Sequence, residues 1–294
     1  MERTGCLLKE FYSYRFFEID KALQDQLFLI CHSSLISKKY DTDKDLVNTV
    51  FNKEKTNMFF SDIMRRKWCV NHEVSQKEFE TLFSGCDKVI YKPVVGNRGK
   101  GVETIIVGDN ISETYDKIVA LPRGIVEQYI VQHPEMNRLA QNSVNTLRIV
   151  TISSNGEPVC GDNDVIVYVS VRVGNGMASV DNFHSGGMAA VVDSDTGIVV
   201  TMAADFEGNA YDIHPVSKTK FKGFSIPKFD EAKGFVINAC RQKKISGYLG
   251  WDVAITENGI ELIEVNTMPG VVLLTAPYRQ EYLGMKSKME KYFS

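Results

Sequence analysis

One segment near the carboxyl end limits the fold more than any other, because it places two carboxylates and an amide on one face of a predicted hairpin. Residues 250–266 read as two short strands around a turn. With a three-residue loop that ends at a left-handed Gly259, Asp252 lies opposite Glu264, and Asn266 shares their face. Directly opposed strand residues are about 5 Å apart, where two carboxylates repel unless a cation lies between them. The spacing therefore predicts a site for a hard cation.

The two faces of this hairpin differ in character. One face is apolar and carries Val253, Ile255, Ile263 and Val265, and the other carries Asp252, Ala254, Leu262, Glu264 and Asn266. A two-residue loop would disturb both faces. Ligands that offer only oxygen favour Mg²⁺ over zinc. The alternative is a solvated hairpin with scattered acids.

A glycine-rich segment lies upstream between two strand-like runs. Residues 88–95 lead into residues 96–101, and residues 102–107 follow as a second strand. The three glycines let backbone N–H groups approach phosphate oxygens, and Arg98 and Lys100 add positive charge. The spacing fits neither a Walker A loop nor a Rossmann fingerprint. The pattern predicts a hairpin with a phosphate-binding flap, and an ordinary basic hairpin tip is the alternative.

Lys92 lies on the first of these strands and shares a face with Ile90 and Val94. An unpaired ammonium group on such a face is unfavourable to bury. We therefore expect an anionic ligand, such as a nucleotide phosphate, to compensate its charge.

Two arginines occupy strand-like segments. Valines alternate with more polar residues over residues 165–173, and Arg172 projects from the polar face. Arg148 shares a strand face with Thr146 and Val150. The planar donors of arginine suit phosphate or carboxylate, although a structural ion pair is the alternative for both residues.

Length and composition agree with a cytosolic enzyme, and the periodicities predict helices and strands in an α+β fold. The chain of 294 residues can bury a full core, and its net charge of −3 argues against general nucleic-acid binding. Its six cysteines lack Cys-x-x-Cys pairing, which favours reduced thiols. Neither a signal-peptide pattern nor a membrane-spanning apolar run is present in the sequence. We expect helices over residues 7–32, 43–68, 75–82, 111–119, 229–244 and 278–292.

Several motifs in this order resemble the ATP-grasp superfamily, and among its members most closely the sugar-transfer-associated ATP-grasp family. The similarity covers roughly residues 50–275. It rests on Tyr91-Lys92-Pro93 with the flap, Glu127-Gln128-Tyr129-Ile130, Gln132-His133-Pro134, Ser143 to Ile149, Asp181 to Gly187, Gly250-Trp251-Asp252 and Glu264-Val265-Asn266. The resemblance implies an ATP-grasp fold, in which a nucleotide is held between a small flap subdomain and a larger antiparallel-sheet catalytic subdomain. The expected divisions are a helical segment at 1–50, a helical lead-in at 51–85, the flap subdomain at 86–130 and the catalytic subdomain at 131–294.

The resemblance also implies roles for individual residues. The nucleotide would contact Lys92, the flap residues Gly96, Arg98, Gly99, Lys100 and Gly101, and the hinge residues Glu127, Gln128, Tyr129 and Ile130. Asp252, Glu264 and Asn266 would hold Mg²⁺. Arg148 and Arg172 would steady the transferred phosphoryl group.

Other positions are less sharply defined. A second phosphate-binding lysine is Lys53 or Lys55, and we favour Lys53. Asn182, with Gly186-Gly187, would border the acyl-phosphate site, although this segment also reads as a plain turn. His133 would contact ribose or phosphate, or make a structural hydrogen bond. His184 receives no role.

The function implied by the resemblance is ATP-dependent ligation of a carboxylate to an amine through an acyl-phosphate, with release of ADP and phosphate. The substrates would be small molecules of polysaccharide, glycoconjugate or secondary-metabolite biosynthesis, and a homodimer is compatible with this function. The alternatives are an ATP-grasp kinase that phosphorylates a hydroxyl and a non-catalytic nucleotide-binding regulator. The chain departs from the wider superfamily because only about fifty residues, rather than a Rossmann-like domain of about a hundred, precede Lys53. Substrate identity therefore stays open.

Overall fold

The computed structural model describes residues 5–96, 100–176, 186–281 and 283–294. The chain divides into two compact units. The smaller unit is Asp45–Val131, and the larger unit combines Met1–Lys44 with Gln132–Ser294. The smaller unit begins well before residue 86, where the sequence places the start of the flap subdomain.

Short helices open the larger unit. They are α1 (Leu8–Ser13), a 3-10 helix (Phe16–Glu18), α2 (Lys21–Gln26) and α3 (Ile30–Tyr40). The single helix expected over residues 7–32 is wrong. Arg15 has a left-handed backbone (φ 45°) that separates the first two elements, and Asp20 begins α2 by accepting a hydrogen bond from the Leu23 N–H at 2.8 Å.

The smaller unit contains a four-stranded antiparallel sheet with helices on both faces. Its elements are α4 (Lys44–Val50), α5 (Lys53–Phe59), β1 (Trp68–Val70), α6 (Gln76–Phe83), β2 (Lys88–Pro93), β3 (Glu103–Ile106), α7 (Ile111–Val119) and β4 (Gly124–Gln128). The strand order is β1-β4-β2-β3. The helix expected over residues 43–68 is also divided, because Asn52 caps α5 by accepting a hydrogen bond from the Lys55 N–H at 3.0 Å.

The larger unit is built on an eight-stranded sheet. Its further elements are α8 (Pro134–Asn137), β5 (Thr146–Ser154), β6 (Glu157–Pro158), β7 (Ile166–Val173), β8 (Met188–Val192), β9 (Ala203–Asp205), β10 (Ala210–Tyr211), α9 (Phe229–Gln242), β11 (Gly247–Thr256), β12 (Gly259–Thr267), α10 (Val272–Gln280) and α11 (Lys286–Phe293). The order is β10-β9-β8-β7-β5-β11-β12, with β6 beside β5. The helix expected over residues 278–292 is instead two helices, α10 and α11. Trp251 is fully buried in this sheet and donates its indole N–H to Thr151 Oγ1 at 2.9 Å.

The β11–β12 hairpin has the expected central pair but not the expected loop. Asp252 lies opposite Glu264. Thr256 pairs with Gly259, so the turn has two residues rather than three, and Gly259 has a φ of 130° rather than that of a left-handed helix. A bulge at Ile263 restores the register before Glu264 is reached.

The bulge changes the faces between it and the turn. Leu262 lies opposite Val253, on the apolar face, and Glu261 lies opposite Ala254. The expected placement of Leu262 beside Asp252 is therefore wrong. Glu261, at 8% exposure, takes that place as a buried carboxylate.

The structure also bears on the expectations about the cysteines and about membrane-spanning segments. All six cysteines are free thiols. Among the described residues, no helix combines the length and apolar character needed to cross a bilayer.

Candidate functional site

Four neighbouring strands of the larger sheet bring four predicted site residues into one row. Asp252 of β11 lies opposite Arg148 of β5 on one side and opposite Glu264 of β12 on the other. Arg172 of β7 lies opposite Thr146, two residues before Arg148 and on the same face. The sheet thus assembles two arginines and two carboxylates from distant segments.

Asp252 is the centre of this row. Arg148 binds it bidentately, with 2.5 Å from Nε to Oδ1 and 2.7 Å from Nη2 to Oδ2. Arg172 donates from Nη1 to Oδ2 at 2.7 Å. The side chains of Arg148, Arg172 and Asp252 are only 9%, 14% and 1% exposed. Burial opposes ionisation, but the two guanidinium groups outweigh it and lower the pKa of Asp252, which is therefore a carboxylate at neutral pH.

Gly250 makes room for this arrangement. A Cβ atom at that position would lie 2.9 Å from Cδ of Arg148 and 2.8 Å from Cβ of Pro269. Gly250 also lies opposite Asn266, and Arg148 and Pro269 occupy the place that a side chain at Gly250 would fill. The Gly-Trp-Asp motif therefore combines a spacing requirement with a charged group.

The donor set of Asp252, Glu264 and Asn266 fits Mg²⁺ chemically, because all three offer oxygen. Nδ2 of Asn266 is buried and has no hydrogen-bond partner in the described parts of the chain, and rotation of the amide would place Oδ1 in its position. Both oxygens of Asp252 already accept hydrogen bonds from arginine. Asp252 could therefore bind an ion only through a remaining lone pair or after Arg172 withdraws. In the described ranges, this site included, no group of three His, Cys, Asp or Glu residues could hold a metal, so the proposed donor set depends on the Asn266 amide.

The loop before β5 is fixed by a buried amide pair. Oε1 of Gln132 accepts hydrogen bonds from the backbone N–H of Asn145 at 2.8 Å and from its Nδ2 at 3.1 Å. Nδ2 of Asn145 also donates to the carbonyls of Met136 and Ala140. The neighbouring His133 caps α8, since its Nδ1 accepts a hydrogen bond from the Glu135 N–H at 3.2 Å. In the structure these motif residues set the start of the strand that carries Arg148.

The smaller unit contains a second buried charge cluster, centred on Glu127. This side chain is 3% exposed and pairs with Arg66 at 2.6 Å and with Lys92. Asn57 Nδ2 donates to the same carboxylate at 2.8 Å. Burial opposes ionisation, but the charges of Arg66 and Lys92 prevail and lower the pKa of Glu127 to about 2. The expectation that Lys92 requires an external anion to compensate its charge is therefore wrong, because Glu127 supplies it.

The flap region is approached by one of the two candidate lysines. Nζ of Lys53 donates to the Gly96 carbonyl at 2.6 Å, whereas Lys55 is exposed. Lys100 is also exposed at the other end of the flap. Gly101 has a φ of 73°, and a Cβ atom there would lie 2.9 Å from Pro93 Cγ. Arg98 and Gly99 lie outside the described residues.

The hinge expected at 127–130 begins within β4 and ends in irregular backbone. Gln128 closes the strand with a hydrogen bond from its N–H to the Lys67 carbonyl at 2.9 Å. In the described chain, the backbone groups of Tyr129 and Ile130 make no hydrogen bond to other backbone groups. The Lys88 ammonium lies 3.6 Å from the centre of the Tyr129 ring. Within the described chain, the backbone donors and acceptors just past Gln128 are therefore free of main-chain pairing.

Some functional residues were missed by the sequence analysis, and another candidate lies, like Arg98 and Gly99, outside the described residues. Arg66 and Asn57 contact Glu127 but belong to no pattern in the sequence, since their partner is 61 and 70 residues away. Glu261 was missed because the bulge was not foreseen. Asn182, like His184, lies outside the described residues.

The sheet, the arginine–carboxylate row and the glycine-rich hairpin together define an ATP-grasp protein. Residues 31–290 match the family described as Sugar-transfer associated ATP-grasp. Because the match covers most of the chain, the protein belongs to that family. A comparison with curated protein sequences gave no match.

A comparison with solved structures found partial similarity to several ligases. D-alanine–D-alanine ligase from Bacillus anthracis complexed with ATP has 12% identity and a TM-score of 0.46, with 83% of this chain and 65% of that chain covered. The ATP-grasp ligase PsnB complexed with a minimal precursor has 12% identity and a TM-score of 0.44, with coverages of 79% and 57%. D-alanyl-alanine synthetase A from Vibrio cholerae O1 biovar eltor has 15% identity and a TM-score of 0.42, with coverages of 80% and 60%. The chain thus spans at most 65% of each of these proteins.

Proposed function

We propose that this protein is an ATP-dependent ligase that joins a small-molecule carboxylate to an amine and converts Mg-ATP to ADP and phosphate. Membership of the Sugar-transfer associated ATP-grasp family supports an ATP-using enzyme and favours substrates from glycoconjugate, polysaccharide or secondary-metabolite biosynthesis. The observation that carries the proposal is the row formed by Arg172, Arg148, Asp252 and Glu264 on one face of the larger sheet.

This row suits a reaction in which negative charge develops on the transferred phosphoryl group. Arg148 and Arg172 offer planar donors that match phosphoryl and carboxylate oxygens. Asp252 holds both guanidinium groups in a fixed arrangement before any substrate arrives, and such preorganised charge is the main source of stabilisation in phosphoryl transfer. We assign the arginines to the transferred phosphoryl group.

Mg²⁺ would be held by Asp252, Glu264 and Asn266, and when bound it would neutralise charge on the phosphates. Lys53 and Lys92 would bind phosphate oxygens in the smaller unit. The free backbone groups of Tyr129 and Ile130 would bind the adenine edge.

Lys92 can make such a contact without leaving its partner unpaired. If its ammonium group turns to a phosphate, Glu127 keeps the ion pair with Arg66 and the hydrogen bond from Asn57. Glu127 therefore keeps a cationic partner when Lys92 turns away.

The proposed reaction has two steps. A substrate carboxylate oxygen attacks the γ-phosphorus of ATP, ADP leaves, and an acyl-phosphate forms. The amine then attacks the acyl carbon, phosphate departs with the bonding electrons, and the amine loses a proton to solvent. No protein nucleophile is needed, so the side chains of the row act by binding and orienting the reactants.

The test is phosphate release from Mg-ATP by the purified protein, measured against a matrix of carboxylates and amines, with mass spectrometry of the products. A condensed product that forms only when both partners are present is the expected result. A stable phosphorylated alcohol that forms without an amine would replace the proposal with a kinase. ATP binding with no product from any pair in the matrix would count against the ligase and favour a nucleotide-binding regulator.

A further inference from the structure

A groove of about 640 Å³ runs along one edge of the sheet in the smaller unit. Its floor is β1, one wall is α5, and the other wall is α6 with the turn before it. The lining residues fall into an apolar set, Met58, Trp68, Cys69, Val70, Val74 and Leu82, and a polar set, Glu54, Glu73, Lys77, Glu78 and Thr81. The volume lies within the range of ligand-binding pockets.

The floor of the groove is an edge strand whose outer side offers hydrogen-bonding groups. β1 is at the end of the sheet and pairs only with β4 among the described strands. The Lys67 carbonyl and the Asn71 N–H bond to β4, so in the antiparallel pattern the groups of the even-numbered residues Trp68 and Val70 point away from it. The Val70 carbonyl is used by the following turn, where it accepts hydrogen bonds from two N–H groups.

Three backbone groups are therefore available on this edge. In the described structure, three groups make no backbone hydrogen bond: the N–H of Trp68, the C=O of Trp68 and the N–H of Val70. They have the spacing of one side of a β-ladder. Exposed edges of this kind accept an extended segment as an additional strand.

The walls of the groove also restrict which side chains a bound segment can have. Met58 is 61% exposed, and the half-buried Trp68 side chain lies near it at the groove. Alternate side chains of an added strand would point to opposite faces of the sheet, towards α5 and towards α6. Apolar side chains fit both walls.

The rim of the groove is weakly acidic. Glu54 and Glu73 share the single guanidinium group of Arg123, and Glu78 and Lys77 lie beside them. Three carboxylates against two cations leave a net charge of −1. A second copy of the chain would place two such rims against each other, whereas a basic segment would complement them.

We propose that this groove binds an extended peptide segment of a partner protein, with apolar side chains and at least one lysine or arginine, as a fifth strand beside β1. Main-chain hydrogen bonds to Trp68 and Val70 provide the affinity, and the walls select the side chains. This site belongs to the smaller unit alone and does not depend on the proposed ligase activity.

The experiment is selection of a displayed library of random ten-residue peptides on the full-length protein, followed by titration of synthetic copies. Trp68 reports binding directly, because the other tryptophan, Trp251, is fully buried in the larger unit. We expect enrichment of peptides with alternating apolar residues and a basic residue. Methylation of alternate backbone nitrogens in such a peptide should weaken binding at least about tenfold, because it removes main-chain donors.

The decisive variant is Val70→Pro, which removes an N–H that β4 does not use and is tolerated at a strand edge. Its matched control is Ile106→Pro on β3, at the opposite edge of the same sheet, where the Ile106 N–H also points outward. Val70→Pro should weaken binding about tenfold or more, and Ile106→Pro should leave it unchanged. Equal binding by both variants would overturn the proposal.

A second pair of variants keeps the test valid if proline unfolds the smaller unit. Thr81→Arg adds a bulky cation to the groove wall on α6, and Gln76→Arg adds the same charge to the same helix outside the groove. Only Thr81→Arg should weaken binding. A library without enriched peptides, or a dimer that Thr81→Arg or Val70→Pro dissociates, would show that a peptide is not the occupant.

Discussion

At the scale of single residues, two buried carboxylates organise the charge of this protein. Asp252 holds two arginines in the larger unit, and Glu127 holds an arginine and a lysine in the smaller one. In both clusters a buried carboxylate fixes cationic side chains in place, and such fixed donors suit phosphate or carboxylate ligands.

The substitution Asp252→Asn separates the structural and chemical roles of the larger cluster. Asparagine keeps the shape but removes the buried carboxylate that Arg148 and Arg172 bind, so we expect the free energy of unfolding to fall by about 3 kcal/mol. Turnover with Mg-ATP should be lost as well. Denaturant titration followed by the fluorescence of the neighbouring Trp251 measures the first effect.

The matched control is Glu264→Gln on the opposing strand. Glu264 is only half-buried and takes part in neither of the arginine ion pairs of Asp252, so stability should stay within about 1 kcal/mol of wild type. Turnover should nevertheless be abolished, because Glu264 is a proposed Mg²⁺ ligand. Equal stability of the two variants would contradict the central role of Asp252.

The Glu127 cluster predicts a pH dependence of stability. The folded pKa of about 2 lies below the ordinary value of 4.5, so the folded state binds the proton less tightly than the unfolded state does. The resulting stability, about 3 kcal/mol, is fully present above pH 4.5 and is lost as the pH falls towards 2. The difference in unfolding free energy between wild type and Glu127→Gln should shrink over this window, as measured by urea titration at each pH. A constant difference from pH 7 to pH 3 would refute the ionised state of Glu127.

At the scale of elements, the β11–β12 hairpin explains which parts of the site the sequence could predict. Strand alternation identified the pair of Asp252 and Glu264, because that pattern is local. Turn length and the bulge at Ile263 were not predictable, since a two-residue turn with a bulge and a three-residue turn produce the same central pair. The bidentate contact of Arg148 with Asp252 was also beyond reach, because it joins residues 104 positions apart.

Gly250→Ala tests the close packing inside this element. The added methyl group would press on Arg148, which binds Asp252, and on Pro269. We expect a loss of about 1–3 kcal/mol in stability, as for overpacking, together with weaker Mg-ATP binding in calorimetry. The control is Gly234→Ala in α9, where a Cβ meets nothing within 4 Å and helix propensity improves. If both alanines were equally harmless, the spacing role of Gly250 would be excluded.

The start of β5 provides a second test at this scale. Asn145 is fully buried and its Nδ2 donates to Gln132 Oε1 and to two carbonyls, so Asn145→Ala removes these buried hydrogen bonds and leaves a cavity. We expect a loss of about 2–4 kcal/mol in unfolding free energy and reduced turnover, because the strand that carries Arg148 loses its anchor. Asn142→Ala is the comparison: Asn142 is exposed and donates one hydrogen bond, to the Gly176 carbonyl. Thermal unfolding of both variants should separate them clearly.

At the scale of the whole molecule, the residues of the proposed function belong to two compact units of different size. Ordered motifs identified the family and the antiparallel sheets, because each motif is a local pattern. The broken helices at residues 7–32 and 43–68 were not identified, since left-handed Arg15 and the caps Asp20 and Asn52 interrupt an apolar periodicity that continues past them. The charge partners of Lys92 were likewise hidden in segments that periodicity does not connect.

Ligand binding should stabilise the protein in proportion to its occupancy. A non-hydrolysable ATP analogue with Mg²⁺, at about 100 times its dissociation constant, should add about 2.7 kcal/mol and raise the melting temperature by several degrees. Lys92→Met should remove most of this increase, because it removes the ammonium group proposed to bind a phosphate oxygen while Glu127 stays paired with Arg66. Lys117→Met, which removes an exposed charge from α7 in the same unit, should keep it. An unchanged increase in Lys92→Met would make Lys92 a structural partner of Glu127 and leave Lys53 as the lysine to test next.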